Sequence, residues 1–222
     1  HYRIDIPCGR WCNSIVLLRP AAAGTGYRHC GRKSVRFKKI ELKIGEYKHG
    51  KDTDRFFSRA GENYFGGIIK YVETGNTEIV VDEMKEMIES DTFKIEMKAP
   101  YSQVYKTCTE EAKKDLRAKA RPELLNYPDH IDNYDTVILA YPNYWGTMPM
   151  AVFTFLEKYD FSGKTILPLC TNEGSGMGHS ESDIKKLASG ADVKRGLAIT
   201  GSSVAQAGGA VKKWLLSSAS SG

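Results

Sequence analysis

A chain of 222 residues suits one medium-sized domain with a sizeable core, and a hydrophobic fraction of 41% with mixed charge belongs to a soluble globular protein. No stretch nears the roughly 18–20 apolar residues of a membrane span, and the residues after His1 lack the basic-then-apolar pattern of a secretory leader. The net charge of +5 is uneven: residues 1–55 hold 13 Lys/Arg and 5 Asp/Glu, a net of +8, which leaves the rest at −3.

In chain order, the basic quarter comes first. Taken alone it suggests an arm for nucleic acid or another anionic surface. Its lack of hydrophobic pattern fits a disordered or non-native leader better, so neither a nucleic-acid nor a membrane partner is expected. Cys8, Cys12, Cys30, Cys108 and Cys170 are an odd number in a chain of this size. They argue against a disulfide framework and for a reducing, cytoplasmic setting. Cys8, Cys12, His29 and Cys30 match no common zinc spacing, so no metal is expected.

From Phe56 onward strands and helices alternate. Apolar residues at Ile79, Val80, Met84, Met87 and Ile88 predict a helix over 78–89, and 91–97 alternates as a short strand. A polar helix is predicted over about 103–120, stopped by Pro122. Thr136-Val-Ile-Leu-Ala140 is a continuous apolar run, the pattern of a parallel strand buried on both faces. A helix over 149–159, a strand over 165–169, a short helix over 182–188, a strand over 196–200 and a helix over 204–216 follow, before a Ser-rich tail at 217–222. This alternation predicts an α/β fold with a doubly wound parallel sheet.

In such a sheet, ligands bind beyond the carboxyl ends of the strands. Three loops fall there. The first holds Phe57-Ser-Arg-Ala-Gly-Glu-Asn-Tyr64 and then Gly75-Asn-Thr77 at a helix start, where free N–H groups and the helix dipole favour a phosphate. Asn76 or Thr77 can equally serve only as a helix cap. The second, Tyr141-Pro-Asn-Tyr-Trp-Gly-Thr-Met-Pro149, offers aromatic faces for stacking or for ordinary core packing. The third, Thr171-Asn-Glu-Gly-Ser-Gly-Met-Gly178, has glycines that permit close approach, or simply a long mobile turn.

Together these strings resemble the bacterial flavodoxin-like family over about residues 56–216. The resemblance implies a five-stranded sheet of order 2-1-3-4-5 carrying FMN at the strand ends. It implies that Ser58, Arg59, Ala60, Asn76 and Thr77 hold the FMN phosphate. Pro142, Asn143, Tyr144, Trp145 and Gly146 flank the isoalloxazine, and Thr171, Glu173, Gly174, Ser175, Gly176 and Gly178 close over its other edge. A backbone carbonyl around Trp145-Gly146 turns toward the flavin, and no side-chain acid, base or nucleophile is required, which leaves His179 and Cys170 as bystanders. One departure is the run between Gly61 and Gly75, which separates two pieces that are contiguous in short flavodoxins. The implied function is an FMN-dependent electron carrier serving a reductase and an acceptor protein. The alternative is an FMN-dependent NAD(P)H:quinone oxidoreductase, although no nicotinamide fingerprint stands out.

The pattern breaks at its first strand. The central strand should enter Ser58 on four or five apolar residues, whereas Lys48-His-Gly-Lys-Asp-Thr-Asp-Arg55 precedes it. Burying Lys51, Asp52, Asp54 and Arg55 there costs several kcal/mol each. The first strand is therefore expected to be missing or replaced, with 14–18 or 35–44 as substitutes. A reading-frame shift accounts for this. With codons AAA CAT GGC AAA GAT ACT GAT CGC, a shift of one nucleotide reads Asn-Met-Ala-Lys-Ile-Leu-Ile and then alanine. Residues 1–55 are then a mistranslated leader, and the chain as written is expected to fold poorly or bind FMN weakly.

Overall fold

The computed structural model describes residues 52–219. Cys8, Cys12, His29, Cys30, the candidate strands at 14–18 and 35–44 and the end of the Ser-rich tail lie outside the described residues. In chain order, β1 (Asp52–Phe56) leads into a hairpin of β2 (Gly61–Phe65) and β3 (Ile68–Val72), then α1 (Asn76–Lys85), β4 (Ser90–Lys94) and α2 (Tyr105–Ala118). Next come β5 (Thr136–Pro142), α3 (Met150–Lys158), β6 (Thr165–Asn172), α4 (Ser180–Leu187), β7 (Asp192–Val193), β8 (Leu197–Thr200) and α5 (Gly208–Ala219).

The main sheet is parallel, in the order β4-β1-β5-β6, with β7 and β8 both paired to β6. Counted in chain order this is the expected 2-1-3-4-5, with the fifth strand split. The split has a cause in side chains. At residues 194–196 the Glu181 carboxylate accepts the Gly196 N–H at 2.6 Å and the Trp214 indole donates to the Arg195 carbonyl at 3.0 Å.

Both faces of the sheet are covered. Ile138, Ala140, Leu167 and Leu169 pack with Val80, Val81 and Met84 of α1 and Val211 and Leu215 of α5. Val137, Leu139 and Tyr141 point the other way, onto Ala151, Val152 and Phe155 of α3 and Ile184 of α4. This period-2 alternation within a fully apolar run explains why β5 sits in the middle. Element ends differ from expectation by a few residues. The polar helix stops on Lys119 in the left-handed region (φ 49°), three residues before Pro122, and α5 continues into the Ser-rich tail. Among the described residues no helix is long and apolar enough to cross a membrane.

The run between Gly61 and Gly75 carries the β2–β3 hairpin. One expectation is corrected. The first strand is not missing: β1 occupies an interior position between β4 and β5, with Asp54 and Arg55 buried. Phe56 and Phe57 anchor it in the two cores on opposite faces, and its backbone is bonded on both sides. Its polar side chains find local partners. Thr53 donates to the Asp91 carbonyl at 2.7 Å, Ser90 donates to Asp54 at 2.5 Å, and the Arg55 guanidinium lies between the Phe93 and Tyr134 rings at 5.4 and 5.1 Å. The fit is incomplete, for Asp54 Oδ1 and Arg55 Nε have no hydrogen-bond partner. Burial pushes the Asp54 carboxyl up to about 6 and pulls the Arg55 guanidinium down.

Candidate functional site

The parallel strands end together, and the three loops beyond β1, β5 and β6 converge there. Gly75 precedes α1, and neither Asn76 nor Thr77 caps that helix: Asn76 is its first residue. Ser58 reaches the helix start instead, its Oγ accepting the Glu78 N–H at 3.2 Å. A Cβ at Gly75 would press on Ser58 Oγ and lie 2.9 Å from the Arg59 carbonyl carbon, so the two halves of the first loop close on each other only through a glycine. Thr77 is buried and shares a 2.8 Å hydrogen bond with Thr171, which ties the first loop to the third.

The second loop turns at Trp145 and Gly146, both in the left-handed region with φ 56° and 86°. Asn143 holds this turn in place. Its Oδ1 accepts the Gly146 N–H at 2.9 Å while its Nδ2 donates to the Gly176 carbonyl at 3.0 Å in the third loop. The Gly146 carbonyl is engaged too, accepting the His179 N–H at 2.8 Å. Any carbonyl free to turn here is therefore that of Trp145. The Trp145 indole is 47% exposed, fixed by its N–H on the Thr109 carbonyl at 2.9 Å and covered by Lys113 at 4.5 Å from the ring. Tyr144 lies deeper, edge-on to Phe57 at 6.3 Å, and burial raises its phenol.

In the third loop, Asn172 accepts the N–H groups of Gly174 and Gly176, both at 2.9 Å. Gly174, Gly176 and Gly178 take φ values of 102°, 59° and 57°. A Cβ at Gly178 would run into the Gly146 carbonyl, so the second and third loops touch only through a glycine.

Two adjoining pockets open between the loops. One, of about 400 Å³, includes Arg59, Tyr105, Cys108, Tyr144, Trp145 and Gly146. The other, of about 300 Å³, includes Tyr64, Asn76, Asn143, Thr171, Glu173 and Ser175. Asn63, Tyr105, Asn143, Tyr144 and Ser175 belong to both, so the crevice is continuous. Ser58 and Ala60 face a neighbouring cleft of about 480 Å³ along the loop after β4. Thr77, Pro142, Gly174, Gly176 and Gly178 shape the loops without lining the two pockets.

Arg59 is spent on backbone: its guanidinium donates to the carbonyls of Ser102 at 2.9 Å, Gln103 at 3.2 Å and Glu62. The sequence reading missed the wall made by Asn63, Tyr64, Tyr105, Cys108 and Thr109. Its signal was present in the spacing, since 105, 108 and 109 share one face of a helix otherwise rich in charge. Cys108 is buried, and burial raises its thiol; Cys170 is pushed up to about 12 by burial alone. Neither thiol is an activated nucleophile. Among the described residues there is no cluster of three or more His, Cys, Asp or Glu able to hold a metal.

The crevice thus offers the first residue of α1, the hydroxyl residues Thr171 and Ser175 in its lining, an exposed indole and a glycine-rich loop. That donor set fits a phosphorylated ligand with a flat ring. Comparison with known proteins agrees in fold. A family model described as Flavodoxin matches residues 68–217. No curated protein matches the sequence. A flavoprotein from Bacteroides uniformis superposes with a TM-score of 0.57 at 22% identity, over 74% of this chain and 99% of that one. One from Bacteroides eggerthii gives 0.55 at 22%, over 71% and 94%. A flavoprotein from Lactobacillus acidophilus, solved in complex with FMN, gives 0.54 at 18%, over 75% and 99%.

Proposed function

We propose, from the premise that this chain belongs to the flavodoxin family, that its crevice binds FMN non-covalently and serves as an electron carrier between redox proteins. The observation that carries this reading is the convergence of three cross-tied loops over the first turn of α1. Asn76, the Ser58 hydroxyl and the free N–H groups of α1 would hold the phosphate dianion, helped by the helix dipole. Trp145 and Tyr105 would flank the ring, and Ser175 with the glycines of the third loop would close over its edge. Bound FMN supplies one- and two-electron redox chemistry that no side chain here can perform. The chain's own part is to orient the ring, exclude water from one face and present the Trp145 carbonyl as a hydrogen-bond acceptor.

The visible spectrum of the purified full chain tests the reading: bound flavin absorption that gel filtration does not remove is expected. A colourless protein that takes up no FMN on titration overturns it. Steady-state reduction of a quinone by NAD(P)H without an added reductase would instead mark the protein as an enzyme.

A further inference from the structure

We infer that the β2–β3 hairpin is a strap across the phosphate end of the crevice, latched by Glu173, and that it selects a flavin mononucleotide over a flavin dinucleotide. The inference rests on the FMN reading for its ligand but not for its latch. A two-stranded ribbon on its own is marginal in water. This one is not held down by apolar packing, for Ile68, Ile69 and Tyr71 are all more than half exposed at 59%, 51% and 62%. Hydrogen bonds at its two ends and one ring stack at its root hold it instead.

At the root, the Glu62 N–H donates to the Gln103 carbonyl at 2.8 Å and the Glu62 carboxylate accepts the Tyr105 N–H at 2.9 Å. Arg59 spans the same junction, and Tyr64 stacks on Tyr105 at 6.1 Å. At the tip, the Gly66 N–H donates to Glu173 Oε2 at 3.2 Å. Glu173 is itself anchored, its Oε1 accepting the Ser202 N–H at 2.6 Å.

The latch lies at the start of α1. A Cβ at Gly201 would collide with the Asn76 amide and sit 2.8 Å from Glu173 Oε1, so both side chains abut the same backbone. The hairpin therefore bridges the crevice from α2 to the loop after β6, with Asn63 and Tyr64 as a wall of the smaller pocket. A ligand whose phosphate points at α1 meets the hairpin beyond it. On this inference an adenylate attached to that phosphate would have to displace the hairpin, which FMN need not do. Glu173 is accordingly a positioning residue that acts through the hairpin rather than on the ring.

The test uses the full chain as wild type, Glu173→Ala, a form with residues 62–73 replaced by Gly-Gly, and the double variant. Without ligand, Glu173→Ala should raise proteolytic cleavage or amide exchange at the tip about tenfold, the effect of one charge-assisted hydrogen bond, with the melting temperature unchanged. With ligand, its preference for FMN over FAD should fall about tenfold by the same measure, whereas in the Gly-Gly form Glu173→Ala should add nothing. Unchanged tip cleavage in Glu173→Ala overturns the latch. Additive losses in the Gly-Gly form overturn its action through the hairpin. If the wild type binds neither flavin, the FMN reading and the selectivity fall together, and the cleavage result alone judges the latch.

Discussion

Strands β1 and β5 are neighbours with the same topology and opposite composition. Asp52, Thr53, Asp54, Arg55 and Phe56 lie in register against Thr136, Val137, Ile138, Leu139 and Ala140. Every one of those β5 residues is buried, and so are four of the five in β1. In β5 Val137, Ile138, Leu139 and Ala140 each add to one of the two cores, and only Thr136 is polar. In β1 only Phe56 does so within the strand, while Thr53, Asp54 and Arg55 are buried polar groups held by Asp91, Ser90, Phe93 and Tyr134. The difference teaches that a central strand position is fixed by ladder bonds and its anchoring ends, while the side chains between decide how much stability it returns. Both strands nonetheless deliver their loops, Arg59 from one and Trp145 from the other, to the same crevice.

The largest effect should come from erasing the difference. Replacing Asp52→Ile, Thr53→Leu, Asp54→Ile and Arg55→Ala together gives β1 the apolar character of β5. Burying three large aliphatic side chains should raise stability by about 5–8 kcal/mol, comparable to a whole domain's net stability. Denaturant unfolding measures it, and a variant no more stable than the original would contradict the comparison. The converse change is Leu139→Ala in β5, which should cost about 2–5 kcal/mol by leaving a cavity. Arg55→Ala, directly across the ladder, should cost far less, and equal losses at the two positions would mean that β1 and β5 contribute alike.

A pH series sharpens the same contrast. Asp54 faces Ser90 and the charges of Asp52, Lys85 and Arg55, and burial raises its carboxyl from 3.8 to about 6. A folded-state value above the unfolded one means a contribution present below pH 3.8 and lost as pH rises through about 6. The shift corresponds to about 3 kcal/mol at neutral pH. Unfolding free energy should fall between pH 4 and 7 in the wild type, more steeply than in Asp54→Asn; parallel curves would remove Asp54 as the cause. At the strand ends, Trp145→Ala should weaken FMN by about 1–3 kcal/mol, the range for losing a large aromatic contact and its stacking. Unchanged affinity in a titration would take Trp145 out of the site.

Much of this was legible in the sequence because period and punctuation agree with the fold. The apolar run at 136–140, the helical stripe at Val80 and Met84, and the glycines of the third loop each gave a local signal that the tertiary structure keeps. Two features were not legible. β1 does not read as a core strand, since its place comes from backbone pairing with β4 and β5, which leaves no mark on Asp52 to Arg55. Of the hairpin strands β3 is exposed on both sides and β2 is half-buried along most of its length, so no one-sided alternation announces them. Its contacts, Glu62 to Tyr105 and Gly66 to Glu173, span 43 and 107 residues and have no local signature.

The central claim is that FMN is held with its phosphate at the start of α1, beside Ser58. Titrating the full chain and Ser58→Ala with FMN and with riboflavin tests it most directly. The account predicts that wild type binds FMN more tightly than riboflavin, and that Ser58→Ala weakens FMN while leaving riboflavin nearly unchanged. Equal losses for both ligands, or no preference for FMN in the wild type, would contradict it.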